Sequence, residues 1–294
     1  MQLSIIIPLY NIHSYKDKLL KNIRKIYDQR YEYIFVDDGS IDKSLNFLKK
    51  NLKLKNMYFY QLKNNSGPGI ARNIGIKKAK GKYILFLDAD DDIISKNLLK
   101  ILNCIKQKNF DLYYYNFYKK NFTLSKLCLF NNIKSKFALN LFLKKELDMS
   151  VNFCLFRKSF LIKKKIRFNK GVYEDIFFMI KCLYNARNIS GKDLKVYIKN
   201  NTANSITNTF KKFNIECFIK SCNQKYKLLN DNRIYSQNLQ YGLRGDYVTV
   251  IKMIKKSKST MSEKLINKIF RKIIDPNFII KTKYDKIVQT NLYK

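Results

Sequence analysis

The 294-residue chain has no tryptophan, one histidine, three prolines, nine glycines and only 22 acidic residues against 59 Lys and Arg. It contains no run of about 18 apolar residues, so nothing in it reads as a membrane-spanning helix. Its six cysteines (Cys104, Cys128, Cys154, Cys182, Cys217 and Cys222) are scattered among mostly apolar residues with no CxxC pair. That pattern argues against a zinc site and for structural thiols in a reducing cytosol. The opening "MQLSIIIPLYN" has no basic stretch and its apolar run is broken by Pro8, so it is not expected to act as a secretory signal. No GxxxxGK[ST] occurs, which removes a P-loop. "GPGIARNIG" starts like a dinucleotide fingerprint, but Arg72 stands where the third glycine belongs and the first strand is far away.

What is abundant is positive charge. The formal net charge of +37 points to a polyanionic partner, either an anionic membrane face or nucleic acid. The chain has 50 Lys but 9 Arg and is rich in Asn, Ile and Tyr, a bias that A/T-rich coding alone produces. A nucleic-acid reader leans on Arg for bidentate base contacts, so no nucleic acid is expected. With 46% hydrophobic and 14% aromatic residues the chain is globular.

Short apolar runs alternate with helical patterns through the first hundred residues. "LSIIIPLYN" (3–11), "YEYIFVDDGS" (31–40), "NMYFYQL" (56–62) and "KYILFLDADDD" (82–92) read as strands. Between them, 14–29 carries Leu19, Leu20, Ile23 and Ile26 at helical spacing, Asp42 caps a helix over 43–52, and a Gly-rich loop from 64 runs into a third helix. This alternation predicts an α/β fold with a mostly parallel, doubly wound sheet and a site at the C-terminal ends of its strands. From 106 to 205 the pattern is less regular. "YEDIFFMIKCLYNA" (173–186) predicts a helix with an apolar stripe of Ile176, Phe177, Ile180 and Leu183 or Tyr184. Beyond 206 the chain reads as helical and more basic.

The acids concentrate where the predicted strands end. Asp88, Asp90, Asp91 and Asp92 crowd into five residues, and such clusters of hard oxygen ligands suit Mg2+, Mn2+ or Ca2+. An EF-hand would need Gly and Glu where Ile93 and Leu99 stand. A DxDx[TV] phosphohydrolase would need Thr or Val two residues after Asp90, where an acid stands. Asp91 and Asp92 also suit the start of the following helix, where the macrodipole favours negative charge. That reading leaves Asp88 and Asp90 unexplained.

Taken in order, "SIIIPLYN", "FVDDGSIDKS", "SGPGIARNIGI", "YILFLDADD" and "YEDIFF" resemble the family 2 inverting glycosyltransferases, across roughly residues 1–205. The resemblance implies a GT-A nucleotide-diphospho-sugar transferase fold over 1–205, with a nucleotide-binding half (1–105), an acceptor half (106–205) and a basic helical extension (206–294). It implies a base and ribose pocket from Pro8, Tyr10, Asn11 and Asp38. Asp38 would accept from uracil N3–H, favouring UDP, although thymine and guanine also offer a donor there. Arg72 would meet the nucleotide or organise nearby carboxylates. Asp88 and Asp90 match the DxD motif: Asp90 would ligate Mn2+ or Mg2+, and Asp88 would reach the ribose or the metal. Asp175 would be the catalytic base, kept ionised by its helix N-terminus, with Glu174 beside it on the acceptor side. The absent tryptophan removes the QxxRW motif of processive synthases and leaves acceptor stacking to Tyr or Phe. The implied activity is transfer of one sugar from a UDP-sugar to a bacterial surface glycan: lipooligosaccharide, capsule or a lipid-linked oligosaccharide. A GT-A-like basic protein without activity, bound to membrane or nucleic acid, is the competing expectation. His13, in the loop after the first strand, reads as an exposed loop residue.

Residues 251–294 carry twelve Lys or Arg and three Asp or Glu. "VTVIKMIKKSKS" and "LINKIFRKII" alternate these with Ile, Leu and Phe. Such a segment is expected either to lie on the inner face of an anionic membrane or to pack on the catalytic domain with its charges solvated.

Overall fold

The structure, a computed structural model, describes residues 1–106, 108–119, 132–144, 150–200, 212–232, 237–257, 263–274 and 288. Cys128, the expected boundary at 205/206 and much of the 251–294 tail lie outside the described residues. The strands are β1 (Leu3–Leu9), β2 (Tyr31–Asp37), β3 (Met57–Gln61), β4 (Tyr83–Phe86), β5 (Asp92–Ile93), β6 (Leu112–Lys119), β7 (Cys154–Arg157) and β8 (Ile189–Lys199). They form one sheet in the order β3-β2-β1-β4-β7-β6-β8-β5. β3, β2, β1 and β4 pair in parallel; β7 runs against β4 and β6, β8 runs with β6, and β5 runs against β8. The first four strands are almost continuously apolar because both sheet faces are covered, and Leu3, Ile5, Ile6 and Ile7 are inaccessible to solvent.

Pro8 sits in a central strand without breaking it. The Ile6 carbonyl accepts from Leu87 N–H, so even-numbered residues of β1 face β4, whose regular pairing ends at Phe86. The N–H that Pro8 lacks falls where no partner strand continues.

The helices over these strands are α1 (Lys16–Ile26), α2 (Ser44–Asn51), α3 (Pro68–Lys78) and α4 (Ser95–Ile105). Asp42 accepts from Ser44 N–H at the start of α2. α3 begins after Gly67, whose φ of 92° suits glycine, and lies so close to β1 that a Cβ on Gly75 would fall 2.3 Å from Ile6. α5 (Ser135–Leu143), α6 (Lys158–Lys163) and α7 (Glu174–Asn185) follow in the second half.

The buried side of α7 differs from the expected stripe. Phe178, Met179, Ile180, Cys182 and Leu183 face the core, while Phe177 lies outward beneath the Lys181 ammonium. Tertiary packing decides the rotation: Phe178 stacks on Phe168 at 3.8 Å, and Phe86 and Phe156 meet that pair edge-on. Because Phe86 is the last residue of β4, this aromatic cluster sets the start of α7 against the acidic turn.

The C-terminal helices α8 (Lys212–Asp231), α9 (Gln237–Lys256) and α10 (Glu263–Arg271) share the same continuous core. Lys225 of α8 and Asp246 of α9 form a buried ion pair. Ile251, Met253, Ile254, Ile266, Phe270, Ile273 and Ile274 are buried inside the protein, so these apolar groups of the tail are not presented to a lipid surface. Among the described residues, no helix is long and apolar enough to cross a membrane.

Candidate active site

The parallel strands deliver their C-terminal ends to one edge, and β7, running the other way, delivers its N-terminal end there too. Beyond β1, Tyr10 is exposed and Asn11 takes a left-handed conformation (φ 47°). Its N–H donates to Ser40 Oγ at 2.9 Å and its Oδ1 accepts from Ile41 N–H at 3.1 Å, joining the loops after β1 and β2. Asp37 holds the same turn through Ser40. Asp38 anchors the loop before α3: its two oxygens accept from Ser66 N–H and Gly67 N–H, each at 2.8 Å. Burial raises its carboxyl above the ordinary range, and those two N–H groups oppose the rise. A base N–H would have to use the lone pairs these bonds leave over. His13 is exposed, in the short turn before α1.

The centre of the edge is an ion network. Arg72, on the buried side of α3, is 5% exposed. Its guanidinium donates to Asp88 Oδ1 at 2.8 Å and pairs with Glu174, so it bridges two carboxylates. Asp88 has further partners: Asn152 Nδ2 donates to its Oδ2 at 2.7 Å and its backbone N–H donates to Tyr197 Oη. Burial pushes the Asp88 carboxyl up, but Arg72, Lys199 and Asn152 outweigh it and hold the group below its usual range. Behind it Asp91 is buried, accepting from Tyr197 Oη–H at 2.7 Å and Asn200 N–H at 2.7 Å. Burial, then Asp88 and Asp90, push Asp91 up to about 8. This acid is a brace for the turn. Asp90 is half-buried; its carbonyl accepts from Lys18 Nζ and Asn200 Nδ2, and its charge, with that of Asp88, helps raise half-buried Tyr15 to about 12, chiefly a desolvation effect.

Glu174 and Asp175 open α7. Burial pushes Glu174 up to about 7, against the pull of Arg72. Asp175 lies within electrostatic reach of Arg72, Lys199 and Asp88; burial raises its carboxyl despite the two cations. The helix end was expected to hold this group down, but desolvation is the larger effect.

Among the described residues, no three or more His, Cys, Asp or Glu side chains form a metal cage. The oxygen donors this edge offers are the carboxylates of Asp90 and of Asp88, the latter also bound by Arg72 and Asn152. Such a set fits a Mg2+ or Mn2+ that keeps waters and takes its other ligands from phosphates.

Asn152, Tyr197, Lys199 and Asn200 had no place in the sequence expectations. Their signal was faint: a lone Asn inside the apolar "VNFCLF" and a polar pair ending "VYIKN".

The profile described as "Glycosyl transferase family 2" matches residues 4–164. The chain belongs to glycosyl transferase family 2. It is 31% identical over 267 residues to the poly(ribitol-phosphate) beta-N-acetylglucosaminyltransferase TarP of Staphylococcus aureus, covering 84% of this chain and 78% of that one. The solved structure of S. aureus TarS 1-349 in complex with UDP-GlcNAc superposes with a TM-score of 0.65 at 21% identity, over 92% of this chain and 84% of that one. The mannosyltransferase PcManGT of Pyrobaculum calidifontis, solved with GDP-Man and Mn2+, gives 0.57 at 12% identity, over 99% and 85%. This family 2 member is therefore a glycosyltransferase of GT-A fold, with a helical C-terminal region.

Proposed function

We propose that this glycosyltransferase moves one sugar from a UDP-linked donor to a bacterial surface glycan, inverting the anomeric carbon, with Asp175 as the base. One observation carries the reading: Arg72 joins the DxD carboxylate Asp88 to Glu174, and so holds the start of α7, with Asp175, against the acidic turn. In the reaction the acceptor hydroxyl oxygen attacks the anomeric carbon and its proton passes to the Asp175 carboxylate. The bond from that carbon to the β-phosphate oxygen breaks, and its electron pair leaves with the UDP. A half-buried carboxylate with a raised proton affinity is a better acceptor than a solvated one. Asp88 and Asp90 would hold a divalent cation arriving with the diphosphate, which supplies Lewis-acid stabilisation of the leaving charge. Pro8, Tyr10, Asn11 and Asp38 would form the base and ribose side, within a nucleotide-binding half of residues 1–105. Residues 106–205 would supply the acceptor half. TarP is a poly(ribitol-phosphate) N-acetylglucosaminyltransferase, and that similarity supports a cell-surface glycan as the substrate class.

A donor screen tests this. Full-length protein is incubated with UDP-, GDP- and CDP-sugars, with Mn2+ or with chelator, and nucleotide release is measured. UDP release from a UDP-sugar, lost in chelator, is expected. Release from none of the UDP-sugars, or undiminished release in chelator, refutes the donor or the metal assignment respectively.

A further inference from the structure

Among the described residues, Arg72, Lys18 and Lys199 are cations near the acidic edge, and the first two are committed. Arg72 is buried between Asp88 and Glu174. Lys18 Nζ donates to the Asp90 carbonyl at 2.8 Å and lies 4.0 Å from Asp92. The third is Lys199, the last residue of β8.

The backbone on both sides of Lys199 is stapled to the acidic turn. Tyr197 bonds Asp91 and the Asp88 N–H. Ile198 pairs with Asp92 across the β5–β8 ladder. Asn200 donates its N–H to Asp91 and its amide to the Asp90 carbonyl and the Asp92 carboxylate at 2.8 Å. Side chains two apart in a strand share a face, so Lys199 leaves β8 on the same side as Tyr197, toward Asp88. Among the described residues its ammonium makes no hydrogen bond or ion pair, yet its charge reaches both Asp88 and Asp175. A strand end fixed at Tyr197, Ile198 and Asn200 thus presents a half-buried lysine, unbonded among the described residues, in the field of the DxD acid and the base.

We propose that Lys199 is the counter-charge for the donor's diphosphate, its ammonium donating to the phosphate oxygens when the nucleotide-sugar binds. The inference rests on the nucleotide-sugar reading above. A diphosphate entering beside Asp88 and Asp90 meets like charge, and a compact ammonium with three donors offsets it without the fixed geometry that an arginine needs.

Calorimetric titration of full-length wild type, Lys199→Met and Lys199→Arg with UDP and with uridine tests it. Lys199→Met should weaken UDP by about 10- to 100-fold, the worth of a hydrogen bond to a charged group, and leave uridine unchanged. Lys199→Arg, which keeps the charge, should recover most of the UDP affinity. Thermal melting of each variant checks the fold. Equal UDP affinity in wild type and Lys199→Met, or an equal loss of uridine, overturns the role of Lys199 alone. If wild type binds none of UDP, GDP, CDP and ADP, the nucleotide-sugar reading itself fails and this inference falls with it.

Discussion

Replacing Arg72 by Met keeps an aliphatic stem under the Phe168 ring and removes the guanidinium that two acids share. The Glu174 side chain is 6% exposed and that of Asp88 31%, so the two are stranded unequally. Breaking a buried pair by removing one partner costs about 3–5 kcal/mol. Most of that falls on Glu174, because water and Asn152 still serve Asp88. Glu174 has an escape, however. Already pushed up to about 7 by burial, it can take a proton. A carboxyl whose folded value lies above its unfolded value of about 4.3 lowers stability as pH rises between the two. Without Arg72 the folded value rises further, and the window extends to higher pH. The deficit of Arg72→Met should therefore be larger at about pH 8 than at about pH 6, by roughly 1–2 kcal/mol at 1.4 kcal/mol per pKa unit. Adding Glu174→Gln should recover about 2 kcal/mol at the higher pH and remove most of the pH dependence. Urea unfolding of wild type, the single and the double variant at both pH values measures all three quantities. An Arg72→Met protein within about 1 kcal/mol of wild type at both pH values, or a double variant no more stable than the single, would refute the reasoning.

Three further outcomes follow from the structure. Asp175→Asn keeps the shape but cannot take the proton, so kcat should fall by about 10²- to 10⁴-fold with UDP affinity unchanged. Because burial raises Asp175, the acid limb of kcat/KM in wild type should lie above the ordinary carboxylate range of about 4 and persist in Glu174→Gln; a limb that vanishes in that variant would move the base to Glu174. Phe270 is fully buried and meets Tyr247 edge-on, so Phe270→Ala should cost about 3–5 kcal/mol in urea unfolding. Unchanged stability with weakened flotation on anionic vesicles would show instead that this residue faces a membrane.

Local pattern was enough for the first hundred residues. Apolar runs separated by helical periodicity dictate a parallel sheet, and a parallel sheet collects the ends of its strands at one edge. That is why Asp38, Asp88 and Asp90 were legible as neighbours although 50 residues of chain separate the first two. The acid pair Glu174–Asp175 was legible as a helix start for the same local reason. Partnership was not. The rotation of α7 depends on Phe168 and Phe86 stacking against Phe178, contacts that a helical wheel does not contain. The proton affinity of Asp175 depends on how much water the fold removes from it, and here desolvation outweighs the helix end. Arg72 could have met a ligand or an acid; only the packing of α3 against β1 places it between two carboxylates. Asn152, Tyr197 and Lys199 reach the site because β7 and β8 end at its edge, a consequence of sheet order and strand direction. In the tail, alternating Lys and Ile is equally compatible with a lipid surface and a protein core. For Ile266 and Phe270, both buried, and Phe270 set edge-on to Tyr247 of α9, the fold supplies the protein core, because an apolar side chain goes wherever a complementary surface is already in reach.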